Sequence, residues 1–139
     1  MKFLHLDFLP RSTDFGLLVL RVWFGGAMAL LHGWDKLVNF SAYRARFMNF
    51  LGLGNSVSLG LAIFGELVCP ALLVLGLFTR FSALAAGFTM AVAFWMAHGG
   101  KLKGEGSGET AFLYLGVFAV LFIAGGGKYS VDAKIGAKS

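Results

Sequence analysis

One long apolar run, from Val57 to Phe78, constrains the fold more than any other part of the sequence. Its roughly 22 residues would form a helix about 33 Å long, enough to cross the hydrocarbon core of a membrane, which is about 30 Å thick. A single carboxylate, Glu66, stands near the middle of the run, and Pro70 follows it four positions later. Because proline has no amide hydrogen, it leaves the Glu66 carbonyl without its helical partner. The run therefore predicts a polar position at mid-membrane depth.

The composition also indicates a membrane protein, since 58% of the 139 residues are hydrophobic and only 14% are charged. An ordinary soluble domain is less apolar than this. The net charge of +5 could fit a nucleic-acid partner. However, the basic residues are scattered along the chain and form no cluster with aromatic residues, so no nucleic-acid partner is predicted. The single cysteine, Cys69, excludes an internal disulfide and a CxxC redox pair. We predict one integral membrane domain over residues 1–139.

Hydropathy predicts four membrane spans, at about residues 15–34, 57–78, 81–98 and 110–124. Asp14 is the predicted N-cap of the first span. A minimal turn at Thr79 and Arg80 makes the second and third spans antiparallel neighbours. Residues 40–51 carry apolar and aromatic side chains at helical spacing but are too few to span, which predicts a short interfacial helix. The predicted fold is an all-α antiparallel four-helix transmembrane bundle with this interfacial helix between spans 1 and 2.

The third span carries small residues at four-residue spacing, a pattern that lets helices approach closely in lipid. They form two rows, Ala83-Gly87-Ala91 and Ala85-Thr89-Ala93-Ala97. We interpret both rows as packing surfaces. After the fourth span, glycines at positions 125–127 end the helix, and Ser130 and Asp132 are predicted to close this end of the bundle by pairing with Arg80.

Four spans place both termini on the same side of the membrane, and basic residues then predict the orientation. The terminal side carries Lys2, Arg11, Arg80, Lys128, Lys134 and Lys138, whereas the opposite side carries Lys36, Arg44, Arg46, Lys101 and Lys103. This small excess predicts both termini in the cytoplasm, with the protein in the bacterial cytoplasmic (inner) membrane.

The same topology predicts where the polar side chains of the spans meet. Ends of spans at one face of the membrane carry His32, Lys36, His98 and Glu109. Glu66 and Arg21 lie deeper, on antiparallel helices, and counting from the predicted span ends places them at similar depth. We therefore predict a buried Arg21–Glu66 ion pair below a vestibule formed by His32, His98 and Glu109.

Several stretches of the sequence resemble the DoxX family of small four-span membrane proteins. They are LLHGWDKL around His32, GELVCPALLVLGLFTRFSAL around Glu66, MAVAFWMAHGG around His98, GSGETAFLYL around Glu109, and GGGKYSVD ending at Asp132. Together they cover roughly residues 16–132. The resemblance implies a membrane subunit or relative of quinone-linked oxidoreductases, associated with a redox partner. Some members of the family are tied to sulfur-compound oxidation or to oxidative-stress complexes, and many have no assigned activity.

A quinone headgroup site fits these residue types, because such chemistry needs a proton donor in a dry site with an outlet to water. Here Glu66, His32 and His98 are the catalytic candidates: a histidine hydrogen-bonds a carbonyl oxygen and Glu66 passes a proton. Arg21, Lys36 and Glu109 are the candidates that hold the quinone. Electrons would have to come from a partner protein, since the sequence carries no flavin, haem or dithiol motif. If the protein is an enzyme, it is then a quinone-linked oxidoreductase subunit.

The sequence is also compatible with three other hypotheses for the role of these polar residues. The polar residues could instead form a structural network in an assembly subunit that has no chemistry of its own. They could line a path for protons or small solutes in a homo-oligomer, because four spans are few for a lone transporter. They could also hold a metal ion or haem through His32 and His98 with Glu66 or Glu109. Neither histidine has a closely spaced partner of the kind that metal motifs contain, so no metal ligand is assigned.

Overall fold

The computed structural model describes residues 3–136, and within that range every regular element is helical. The predicted all-helical class is therefore confirmed for this part of the chain. The helices are α1 (Thr13–Val38), α2 (Phe40–Arg44), α3 (Asn55–Leu75), α4 (Thr79–Ala97), α5 (Glu109–Ala124) and α6 (Val131–Lys134), with a short 3₁₀ turn at Phe50–Gly52. Lys2 and Lys138, two of the basic residues from which the membrane orientation is predicted, lie outside the described residues.

Three of these helices are long and apolar enough to cross a membrane. They are α1, α3 and α4, with 26, 21 and 19 residues. Helix α5 is strongly apolar but has only 16 residues, a length of about 24 Å. Large apolar side chains such as Trp23, Leu30 and Phe88 are exposed on the outer faces of the long helices. At these depths the surrounding solvent is lipid, so the chain is an integral membrane protein whose helices contact the bilayer.

Helix α1 begins with a different cap from the one predicted. The Ser12 hydroxyl, rather than the Asp14 carboxylate, accepts the Phe15 amide hydrogen at 3.2 Å. Asp14 Oδ1 instead accepts the backbone amide hydrogen of Lys128 at 2.9 Å. The prediction for Asp14 is wrong because the carboxylate has a tertiary partner in the segment that follows α5. This contact ties the start of α1 to the end of the bundle where α5 finishes.

Helices α1 and α3 pack backbone to backbone at two glycines of α1. A Cβ atom on Gly25 would lie 2.9 Å from the Pro70 carbonyl oxygen, and one on Gly33 would lie 2.5 Å from the Glu66 carbonyl oxygen. The Glu66 carbonyl is the group that Pro70 deprives of its helical partner. Small residues allow such close approach in lipid. The two contacts together define how far α1 is shifted along α3.

This contact makes Gly33→Ala a strong test of the packing between α1 and α3. The added methyl group has no space against the α3 backbone, so we expect a loss of about 2 kcal/mol or more in the free energy of unfolding. Gly26→Ala is the matched control because no atom lies within 4 Å of a Cβ there. Unfolding in detergent can be followed through the reactivity of Cys69, which is the one cysteine in the sequence and is buried. Equal unfolding midpoints for the two variants would contradict this packing.

The C-terminal segment closes the other end of the bundle, through contacts that differ from the predicted pairing with Arg80. Asp132 accepts hydrogen bonds from the backbone amides of Phe78 and Thr79, both at 2.8 Å, and so caps the start of α4. Arg80 donates instead to the Phe122 carbonyl at 2.9 Å, and its guanidinium lies over the Phe122 ring. The predicted pairing is wrong because the first amides of a helix are themselves strong partners for a carboxylate.

Candidate functional site

A cavity of about 680 Å³ lies between α1, α3 and α4, next to the segment that follows α2. Most of its lining is apolar. Its charged and imidazole side chains come from four parts of the chain: His32 and Lys36 from α1, Arg46 after α2, Glu66 from α3, and His98 at the end of α4. Four of these five residues are predicted site residues. A largely apolar cavity of this size with a few convergent polar groups has the character of a small-molecule site.

The charged centre of the cavity is an ion pair between Lys36 and Glu66. Lys36 Nζ lies 2.5 Å from Glu66 Oε2, and the two side chains are 15% and 8% exposed. A buried carboxylate needs such a cation, because an isolated charge in this environment is costly. The prediction that Arg21 is the partner of Glu66 is wrong, and Lys36 takes that role.

Arg21 lies about two helical turns away from Glu66 along α3. Its guanidinium is fully buried, and Nη1 donates to the carbonyl oxygens of Leu73 and Val74, each at 3.2 Å. Asp132 is its charged neighbour. The contact register of Gly33 against Glu66 explains the correction, because it places the later residue Lys36, rather than Arg21, at the level of the carboxylate. Arg21 thus belongs to a second polar centre near the C-terminal segment and does not line the cavity.

The two histidines are held in the cavity wall by different contacts. The His32 ring packs edge-on against the Tyr114 ring, with 5.9 Å between the centroids. His98 Nδ1 lies 3.0 Å from the Gly106 carbonyl oxygen. Since a carbonyl can only accept, this hydrogen bond requires a proton on Nδ1 and leaves Nε2 of a neutral His98 as an acceptor. A ligand that donates a hydrogen bond could therefore use His98 Nε2.

Glu109 does not join the histidines as predicted. It is exposed and lines a separate outer hollow with Lys103, Ser107 and Phe112. Gly108, just before it, lies close to the His98 side chain, where a Cβ atom would be 2.9 Å from that of His98. Successive residues of a helix point about 100° apart. The first turn of α5 therefore directs Thr110 and Ala111, rather than Glu109, to the cavity.

Two polar residues of the cavity, His32 and Glu66, lie in widened helical turns that were not predicted from the sequence. Within residues 3–136, one stretch of π-helix, Arg21–Gly25, contains Arg21 and lies away from the cavity. Three others, Ala29–Gly33, Phe64–Val68 and Ala93–Ala97, lie beside it. They contain His32 and Glu66 and end next to His98, whose amide donates to the Ala93 carbonyl five residues back. π-Helical turns are rare and are frequent at functional sites. Pro70 is the one sequence signal near any of them, because it weakens the regular hydrogen bonding of the preceding turn.

Two further residues near the cavity were missed as site residues. Arg46 was predicted only as one of the basic residues on the side of the membrane opposite the termini, yet it lines the cavity. The Tyr43 hydroxyl donates to Asp35, and its ring lies 5.7 Å from Lys36 Nζ. The hydrogen bond to the Asp35 carboxylate, with burial as a second cause, raises the pKa of Tyr43 above its ordinary value. Tyr43 therefore keeps its proton and joins α2 to the end of α1 beside Lys36.

The described part of the chain contains no cluster of side chains of the kind that the metal-site hypothesis requires. Among residues 3–136, no three histidine, cysteine, aspartate or glutamate side chains come together as a metal-binding group. The contacts that the structure does give to the polar residues are the ion pair, the aromatic contact of His32 and the backbone contact of His98.

Comparison with known proteins identifies the family. Residues 16–99, more than half of the chain, match DoxX. No match was found among curated proteins or among solved structures. The matched residues include α3 and α4 and nearly all of α1, and so contain every charged residue and histidine that lines the cavity. The chain belongs to the DoxX family.

Proposed function

We propose that this DoxX-family protein binds the headgroup of a quinone, or of a similar small apolar molecule, in the cavity beside Glu66. The observation that carries the proposal is the convergence of His32, His98 and the Lys36–Glu66 pair on one largely apolar cavity. A planar headgroup that is apolar on its faces and accepts hydrogen bonds at its edges suits such a lining. In this proposal the protein is the membrane subunit of a quinone-linked redox assembly.

In this proposal each polar residue of the cavity has a role that follows from its chemistry. His32 can donate a hydrogen bond to a carbonyl oxygen of the quinone, whereas Nε2 of a neutral His98 can accept one from a hydroxyl of the reduced headgroup. Glu66, ionised beside Lys36, is the group that accepts a proton in a site from which water is largely excluded. Lys36 keeps the carboxylate in position. A bound quinone would supply the two-electron chemistry that the side chains of this sequence lack. Electrons reach it from a protein partner, and Arg21 and Glu109 have no part in this site because neither lines the cavity.

The proposal is tested with the purified protein in detergent. We expect mass spectrometry of extracted lipids to find a quinone at a substantial fraction of the protein concentration, and equilibrium dialysis to show saturable, micromolar binding of a short-chain benzoquinone. The unfolding midpoint, followed through the reactivity of Cys69, should rise when the quinone is added, because a ligand that binds the folded state stabilises it. Folded protein that contains no quinone and gives no saturable binding would overturn the proposal.

A structural role is the second candidate, and the geometry of the ion pair favours it. Lys36 and Glu66 already satisfy one another's charge and join α1 to α3. A buried pair of this kind can serve only to specify how two helices pack. The protein would then be an assembly subunit, and ligand binding would not depend on the pair. The variants Lys36→Met and Lys36→Met/Glu66→Leu separate the two candidates.

We also propose that α5 completes a four-span antiparallel bundle in the bacterial cytoplasmic membrane, with both termini in the cytoplasm. The hydrogen bond from Lys128 to Asp14 supports a common side for the start of α1 and the end of α5. The 16 residues of α5 can cross where flanking residues reach toward the interface or the bilayer thins. Membrane-impermeant labelling of single cysteines placed at Asp7 and Tyr129 tests this, and opposite accessibility of the two positions would contradict it.

A further inference from the structure

The cavity continues into a groove between α3 and α4, and we propose that this groove holds the apolar tail of the bound molecule, which enters sideways from the bilayer. This inference rests on the proposed function and adds the class of ligand: a long-tailed lipid-like amphiphile rather than a water-soluble quinone. It also assigns a position and a route to the tail.

The first observation is the exposure of the cavity walls at membrane depth. Leu61 and Phe64 of α3 and Phe88 and Met96 of α4 line the cavity and are 48%, 41%, 61% and 53% exposed. Phe64 and Phe88 lie near the middle of their helices. At that depth exposure means contact with acyl chains rather than with water. The cavity is therefore open to the lipid between α3 and α4.

The second observation concerns the floor of the groove. One of the small-residue rows of α4, Ala85-Thr89-Ala93-Ala97, lines the cavity with all four members. The Thr89 hydroxyl donates to the Ala85 carbonyl at 3.0 Å, so its proton is already used within the helix. α3 and α4 touch at Gly65, where a Cβ atom would lie 1.9 Å from Thr89 Oγ1. The floor is formed by small and largely apolar side chains, which suits a chain of methylene or isoprenoid units.

The third observation is the arrangement of charge. The charged and imidazole side chains of the cavity lie on α1, after α2, at the middle of α3 and at the end of α4. Leu61, Phe64, Phe88 and Ala93 line the groove without charge. The cavity thus has a polar part for a headgroup and an apolar part that is continuous with the bilayer. An amphiphile can place its head beside Glu66 while its tail stays in apolar surroundings throughout.

The test compares two probes that share a benzoquinone headgroup, one without a tail and one with a decyl tail. Ala93→Leu fills the groove, so we expect it to weaken binding of the decyl probe about tenfold and to leave binding of the tailless probe within about twofold. Comparing each probe with itself between variants removes the effect of its partition into detergent. Ala119→Leu, which adds the same side chain on an exposed face of α5 outside the cavity, is the matched control and should change neither probe.

Phe88→Ala is the second variant, in case Ala93→Leu fails to fold. Its side chain is largely exposed, so its truncation should spare the core, and we expect the decyl probe alone to bind about threefold more weakly. Folding of each variant is checked by Cys69 reactivity. Equal effects on both probes, or no effect of either folded variant on the decyl probe, would overturn the groove while the proposed function stands. Failure of both probes to bind the unmodified protein would overturn the proposed function and this inference with it.

Discussion

Replacing Lys36 by methionine is expected to destabilise the protein by about 3 kcal/mol, because breaking one side of a buried ion pair leaves the other charge uncompensated. The Glu66 side chain is 8% exposed and has its ion-pair partner in Lys36. The measurement is the midpoint of Cys69 reactivity on heating in detergent. The exposed Arg11–Asp7 pair, with side chains 79% and 46% exposed, provides the control. Arg11→Met should change stability by less than about 0.5 kcal/mol, since exposed pairs contribute little.

The double variant Lys36→Met/Glu66→Leu then decides what the pair does. Replacing a buried ion pair by apolar residues of similar volume is often neutral for stability, so we expect most of the lost stability to return. If the proposed function holds, the double variant folds but has lost quinone binding by tenfold or more, because the headgroup has lost its polar partners. A stable double variant that binds quinone as well as the unmodified protein would assign the pair a purely structural role.

The second large effect is expected at Asp132. Asp132→Asn should lower the free energy of unfolding by about 3 kcal/mol at neutral pH, because it removes the charge beside the buried Arg21 and weakens the cap of α4. Burial by itself opposes ionisation of this carboxyl. The hydrogen bonds from Thr79 and Phe78 and the charge of Arg21 outweigh burial and hold the pKa of Asp132 below its ordinary value of 3.8.

The direction of this shift predicts how the effect depends on pH. A lowered pKa in the folded state means that the stabilisation is complete above pH 3.8 and is lost as the pH falls through the lower, folded-state value. The difference in unfolding midpoint between the unmodified protein and Asp132→Asn should therefore be large at pH 7 and shrink on strong acidification. Asp7→Asn, at an exposed position, should give only a small difference at any pH. A difference at Asp132 that stays constant with pH would argue against its charge as the cause.

The burial of Arg21 explains why loss of the Asp132 charge is expected to lower the stability of the protein strongly. Within residues 3–136, its Nε and Nη2 atoms are buried without a hydrogen-bond partner, and Nη1 alone reaches backbone carbonyls. A buried charged group with unused donors is costly, so the nearby negative charge of Asp132 matters more than an exposed carboxylate would. From the sequence, Arg21 was predicted to pair with Glu66 and Asp132 with Arg80, whereas in the structure Arg21 and Asp132 are neighbours.

Much of the site could be anticipated from the sequence. The apolar run around Glu66, the histidines near the ends of α1 and α4, and Lys36 one turn after His32 all follow from hydropathy and spacing. Lys36 was nevertheless predicted to hold the quinone rather than to pair with Glu66, and Arg46 was not predicted as a site residue. The widened turns that present His32 and Glu66 could not be predicted, because π-helical hydrogen bonding has no strong signature in residue type.

The sequence by itself determined which segments enter the lipid, because burial of an apolar side chain in a bilayer depends on its own chemistry and on the length of the run. It also determined that a carboxylate inside such a run needs a cationic partner. Only the tertiary structure decided that this partner is Lys36 and that Arg21 neighbours Asp132. Hydropathy is almost unchanged when one apolar helix slides along another by two turns, whereas the close contact of Gly33 with the Glu66 carbonyl exists in one register alone.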